Sequence, residues 1–152
     1  MKVPFTKDYP DHHDADLVLR AYELRREPVL RDARKAMTID WWPASLDDLK
    51  AIANWEHPHN SSFRQVTSYW ELVYGMAKHG IVHPEYMADS AGGEALIILA
   101  KVYPWLEEFR TVAGPRFLRN TEWIATETES GRELFARLKG RIDQMRANFQ
   151  RP

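Results

Sequence analysis

Apolar residues recur three and four positions apart along most of this chain, the spacing that turns one face of an α-helix toward a core. The clearest case is Phe63, Val66, Tyr69, Trp70, Val73, Met76 and Ala77. It predicts a long amphipathic helix stopped by Gly80, where a left-handed backbone suits glycine. His83-Pro84 then restarts a short helical turn, with proline at the first position, where a missing N–H does no harm. After Gly92-Gly93, the run Leu96-Ile97-Ile98-Leu99 makes the next helix apolar all round, the mark of a central buried element. Pro104 is expected to kink that helix ahead of Leu106 and Phe109.

The same reasoning places the other elements. Residues 1–13 contain Pro4, Pro10 and clustered polar groups and read as an extended N-terminal arm. Asp14 or Asp16 is positioned to cap a first helix with a buried stripe at Leu17, Ala21 and Leu24. The pattern resumes through Val29, Leu30, Ala33 and Met37, so Pro28 predicts either a kink or two abutting helices. Trp41-Trp42-Pro43 is a connection, and Ser45-x-x-Asp48 resembles a capping box opening a short helix. Glu56 to Asn60 reads as a loop, with Asn60 or Ser61 as the next cap. Gly114-Pro115 ends the following unit, and Phe117, Leu118 and Trp123 suggest another short helix. Ser130-x-x-Glu133 is a capping box for the last helix, whose Phe135, Leu138, Ile142, Met145 and Phe149 form a two-heptad seam. No strand or hairpin pattern is present. The expectation is an all-α fold: a single-domain irregular bundle of about six helices over residues 14–150, built around a buried apolar central helix.

Composition narrows function mainly by exclusion. The 152 residues suffice for one domain with a real core. Six Trp and 12% aromatic residues can fill that core or line an interface. The absence of cysteine excludes disulfides, thiolate metal sites and a cysteine nucleophile. A formal net charge of −1 gives no global attraction to nucleic acid or anionic lipid. The longest apolar run, residues 95–100, is too short to span a bilayer, and the first residues lack a signal-peptide core, so a cytoplasmic location is expected. There is no phosphate-binding loop, dinucleotide fingerprint, nucleophile elbow or zinc-protease motif, hence no catalytic residue to name and no cofactor to expect.

Three residue groups carry candidate chemistry. Glu56, His57 and His59 offer carboxylate and imidazole ligands at Glu-x-x-His spacing, although Pro58 works against a regular helix turn and a second such motif is missing. Glu71 sits among Tyr69, Trp70 and Tyr74, where a half-buried carboxylate could act as acid or base; the competing reading is a paired structural carboxylate. Trp70, Glu71, Tyr74 and Trp105 together could line a pocket between the long amphipathic helix and the buried one.

The middle of the chain, residues 63–120, also carries a resemblance. Tyr69-Trp70-Glu71, then His79-Gly80, Pro84-Glu85 and Tyr103-Pro104-Trp105, resemble the pattern of a family of uncharacterised bacterial small helical proteins, a domain of unknown function. The resemblance implies a helical fold and brings no chemistry with it. Some members of that family carry an N-terminal membrane helix, and this sequence shows no such segment.

The leading functional expectation is a non-enzymatic helical protein acting through protein–protein contacts and self-associating as a homodimer, with Phe135, Leu138, Ile142, Met145 and Phe149 as the interface. The alternative is a small-molecule or metal-binding bundle, using the Trp70/Glu71 pocket or the Glu56/His57/His59 cluster. An enzyme pairing Glu71 with His57, His59 or His79 is a third reading. Neither nucleic acid nor membrane is expected as a partner.

Overall fold

Proline and glycine decide where this chain breaks. The computed structural model describes residues 8–150. It contains α1 (His12–Leu24), α2 (Pro28–Lys35), a π-helical turn (Ala36–Asp40), α3 (Leu46–Ala53), α4 (Asn60–Lys78), α5 (Pro84–Ala91) and α6 (Gly93–Val102). A 3₁₀ turn (Tyr103–Trp105), α7 (Leu106–Ala113), α8 (Arg119–Glu127) and α9 (Glu129–Phe149) follow. Among the described residues there is no strand, and the α-helices number nine rather than about six. The excess has a physical cause: at Pro28 the second expected outcome, two abutting helices, is realised, and the kink expected at Pro104 is a break between two helices. Pro28 and Pro84 each stand at the first position of a new helix. Pro104 replaces an α-turn by the 3₁₀ turn between α6 and α7. Gly80 and Gly114 end α4 and α7 with positive φ of 74° and 101°.

Several helix starts differ from the sequence reading by a few residues. Asp11, not Asp14 or Asp16, caps α1: its carboxylate accepts from the N–H of His13 (3.0 Å) and Asp14 (3.2 Å), and Asp14 accepts in return from the Asp11 N–H (2.9 Å). The helix therefore begins inside the segment read as an arm, whose residues 1–7 lie outside those described. Asn60 opens α4 without capping it; its amide donates to the Ile52 carbonyl (2.8 Å) and its oxygen accepts from Arg64 Nε (2.9 Å). Thr128 takes the capping role expected of Ser130, accepting from the Gly131 N–H at 3.0 Å.

Two helices organise the core. α4 packs against α2, α3, α5 and α8, while α6 packs against α8, α9 and the π turn. Leu96, Leu99, Ala100 and Val102 of α6 are fully buried, as the all-apolar run requires. Aromatic pairs tie the elements together: Trp41 with Phe63 (centroids 6.1 Å apart), Phe63 with Phe117 (5.7 Å) and Phe117 with Phe109 (4.9 Å). In α1 the buried face is Asp14, Val18 and Ala21, one step round from the expected stripe, so Leu24 is 55% exposed.

The α8–α9 junction is the tightest point. A Cβ on Gly131 would collide with the Ile124 carbonyl oxygen and with Thr128 Oγ1, which itself donates to that carbonyl at 2.6 Å. Overpacking against fixed backbone costs about 1–3 kcal/mol, and here the neighbour cannot rotate away. Gly131→Ala should lower stability by about 3 kcal/mol despite alanine's better helix propensity. Urea unfolding followed by far-UV circular dichroism checks this; an unchanged midpoint would contradict it.

Candidate functional site

Successive residues of a helix point about 100° apart, so the turn Tyr69–Trp70–Glu71 faces three directions at once. The Tyr69 hydroxyl donates to the Ala21 carbonyl near the end of α1. Trp70 Nε1 donates to Glu94 at the start of α6 (3.1 Å), and the other Glu94 oxygen pairs with Arg34 Nε of α2 (2.6 Å). Glu71 reaches α8: its carboxylate accepts from the N–H of Asn120 (2.9 Å) and Thr121 (2.8 Å) and from the Thr121 hydroxyl (2.8 Å). Those are orphan donors of a helix start, where a negative charge also meets the positive end of the helix dipole. α8 needs this help, because its own cap position is Leu118, left-handed at φ 51° and without a capping side chain. Gly75, one turn on, admits the Asn120 amide, whose Nδ2 donates to the Glu71 carbonyl at 2.9 Å.

The same device recurs. Glu85 of α5 accepts from the N–H of Glu129 (2.6 Å) and Ser130 (3.0 Å), holding the start of α9. The fully buried Asp14 accepts from the His83 N–H (2.8 Å) at the entry to α5. In each case a carboxylate of one helix satisfies the opening of another. Glu71 also borders an open cleft of about 400 Å³ with Arg64, Thr67, Ser68 and Arg116, and both of its carboxylate oxygens are already engaged by α8.

Lys101 is the feature that sequence reasoning missed. It lies near the end of α6, fully buried, and its ammonium donates to the carbonyls of Met37 (3.0 Å), Thr38 (2.7 Å) and Trp41 (2.8 Å). These carbonyls close the π turn, so the charge is matched by the negative end of a helix rather than by a carboxylate. The Trp42 ring, 4.2 Å from Nζ, covers it. Burial pushes Lys101 down to about 8, with Asp40 opposing and Arg146 reinforcing the shift. Burial also raises Tyr69 to about 12 and Tyr74 well above its ordinary value, and Glu94 raises both further.

The expected pocket residues serve separate contacts. Trp70 and Tyr74 are core side chains 5.2 Å apart, and the Tyr74 hydroxyl donates to the Ala91 carbonyl (2.7 Å). Glu71 faces α8, and Trp105 lies beneath the Arg146 guanidinium (5.1 Å). The metal cluster does not assemble either: Glu56 is exposed, and His57 Nδ1 accepts from the His59 backbone N–H at 3.0 Å. Among the described residues no three His, Asp or Glu side chains are grouped to hold a metal ion. Nor does an imidazole reach Glu71. His59 and His79 lie twelve and eight residues away along α4, about 18 and 12 Å by helical rise.

The α9 seam packs within the chain except at its end, where Phe149 is 64% exposed. Ile142 is only 4% exposed, and Phe135 and Leu138 rest partly buried on the core that α6 forms. Met145 shares a small cavity with Ile97 and Leu138, and Phe149 meets Trp42 edge-on at 5.1 Å. A helix lying on an apolar partner in its own chain produces the same three-four spacing as a coiled coil.

Exposed apolar side chains are scattered over several elements, among them Trp55, Leu72, Val112 and Phe149, and some of them border a groove on α1. Between α1, α4 and α5 runs a groove of about 270 Å³ with Val18, Leu19, Ala21, Tyr22 and Trp70 along it and Arg25 at one end. Leu19 is 60% and Tyr22 48% exposed. The Arg25 guanidinium lies 4.8 Å from the Tyr22 ring centre.

The chain belongs to the family described as a domain of unknown function, DUF4760, which it matches over residues 10–128, that is, α1 through α8. No curated protein and no solved structure matches it. Among the described residues no helix is long and apolar enough to cross a membrane.

Two measurements bear on these contacts. Glu71→Ala strands two backbone donors at the start of α8 and should cost about 2 kcal/mol, with Glu71→Gln recovering part of it. Equal unfolding midpoints for all three proteins would show that the cap contributes nothing. Lys101 has a folded value of about 8 against 10.5 unfolded, so between those limits the unfolded chain binds more protons and stability rises with pH. Below pH 8 both states are protonated and the contribution is flat. The raised tyrosines act in the opposite sense only above pH 10. Urea titrations from pH 8 to 10 should show the native chain gaining on Lys101→Met; parallel curves would refute the buried ammonium.

Proposed function

We propose that this member of the family is a non-enzymatic helical protein that works through protein contacts, and that its partner is a second copy of itself held through the exposed face of α1. The observation that carries the reading is the distribution of side chains just described. The carboxylates and the buried lysine that could have served chemistry are engaged in joining helices. Among the several exposed apolar side chains, Leu19 and Tyr22 adjoin one another beside an apolar groove. Apolar surface of this kind is most stable when covered.

A small-molecule reading has two points in its favour, the Trp70 ring at the floor of the groove and the open cleft of about 400 Å³ beside Glu71. The groove is below the roughly 300–1,000 Å³ typical of ligand clefts, and in the larger cleft the Glu71 carboxylate is already taken up by the start of α8. A helix laid along the groove makes better use of its shape.

The contact is short. Thirteen residues of helix extend about 20 Å, which suits a reversible pairing rather than an obligate one. Sedimentation velocity across a hundredfold concentration range should therefore reveal a monomer–dimer equilibrium. Leu19→Glu should leave the circular dichroism unchanged and the protein monomeric. Ile142→Glu, aimed at the seam under α6, should unfold the chain instead. A protein that stays monomeric at every concentration, or an Ile142→Glu variant that is folded and monomeric while Leu19→Glu still dimerises, would overturn the reading.

A further inference from the structure

Apart from His12 and the buried Asp14, the charged and histidine side chains of α1 and its two caps are arranged as a reversed palindrome. Counting outward from Val18, the midpoint of His12–Leu24, Asp16 lies two residues before and Arg20 two residues after. His13 lies five before and Glu23 five after; Asp11 lies seven before and Arg25 seven after. A helix that meets its own copy antiparallel, about a two-fold axis at its midpoint, brings each residue opposite the one equally far on the other side. Every one of these three pairings then joins a carboxylate to an arginine or a histidine.

The angles agree with the spacings. At about 100° per residue, Asp16, Arg20, His13 and Glu23 fall on one flank of the Leu19 direction, while Asp11 and Arg25 fall on the other. A two-fold axis of this kind keeps each flank on its own side, so partners in the palindrome are also partners in space. Asp16 and Arg20 are exposed, and among the described residues neither side chain makes an ion pair within the chain. Leu19 and Tyr22 occupy the strip between the flanks. An antiparallel pair also sets the two helix dipoles head to tail.

We propose that two copies of this chain associate by antiparallel α1–α1 pairing, with Leu19 and Tyr22 at the centre, Asp16–Arg20 and Asp11–Arg25 as reciprocal ion pairs and His13–Glu23 as an imidazole–carboxylate hydrogen bond. The proposal rests on the self-association reading above and adds to it the orientation, register and partners. The contact is isologous, so it closes at two copies and leaves no sticky end for further growth. Its ion pairs stand at the rim, so they choose the register and orientation more than they supply affinity.

Charge exchange tests the register directly. In an Asp16→Arg homodimer the new guanidinium at position 16 faces the native Arg20 of the other copy, and symmetry repeats the repulsion. Arg20→Asp likewise sets the native Asp16 against a second carboxylate at position 20. Each single variant should therefore dimerise at least tenfold more weakly than the native chain, measured by sedimentation at low ionic strength. When the two variants are mixed, only the heterodimer escapes the repulsion, because both of its cross-chain contacts then join a guanidinium to a carboxylate. The mixture should recover native affinity as a heterodimer, seen by mass in a native spectrum. Because Asp16 and Arg20 are also one turn apart in one helix, the double variant would be restored by intrahelical pairing alone, and the mixed singles are free of that confusion. Native-like dimerisation of both singles would place the interface elsewhere and sink the α1 register while sparing self-association. Homodimers weakened but no heterodimer recovered would equally reject the antiparallel pairing. A native chain that never dimerises would remove both readings.

Discussion

An α-helix can send three consecutive side chains into three neighbours only if it is surrounded over more than half its circumference, and α4 satisfies that condition. Tyr69, Trp70 and Glu71 sweep through about 200° and engage α1, α6 and α8 in turn. The rest of the bundle is arranged to let them. α6 starts with Glu94 where Trp70 can reach it, and α8 starts with two N–H groups where Glu71 can accept them. Apolar packing supplies the driving force, but it is weakly directional. These three bonds fix which helix lies on which side of α4.

The short helices are less anomalous than their number suggests. A helix of eight or nine residues is marginal in isolation and exposes four unsatisfied N–H groups at its start. Here α8 takes acceptors from α4, α5 opens against Asp14 of α1, and even the 21-residue α9 borrows Glu85 of α5 at its start. The chain has many helix starts in place of a few long helices. It satisfies those starts through tertiary contacts that also specify the fold. Residues that look like chemistry in the sequence, Glu71 above all, turn out to be the means of joining one helix to the next.

How much of this was legible follows from whether the determining contact is local. Gly80, Pro84, Gly114 and Ser45 act on their own backbone, and the sequence places each of them correctly. The apolar run of α6 is equally self-announcing. The failures are tertiary. Choosing Thr128 over Ser130 depends on the close approach of Ile124 to Gly131. The buried face of α1 depends on Asp14 being drawn inward by His83. The α9 seam could not be assigned to an inner or outer partner from spacing alone. Lys101 gave no warning: one cation near the end of an apolar helix normally reaches for solvent, and the three carbonyls that hold it sit some sixty residues earlier.

That distance has a consequence for how the chain comes together. The carbonyl trio exists as a receptor only after residues 36–41 have wound into the π turn, and α6 cannot bring an ammonium ion into the core ahead of it without stranding a charge. Nor can the turn close readily around three unmatched oxygens. The two segments, far apart in sequence, therefore depend on one another for their place in the core, and Arg146 of α9 joins a third segment to the same junction by donating to the Lys101 carbonyl at 2.6 Å. A single buried lysine thus makes three distant stretches of chain one cooperative unit.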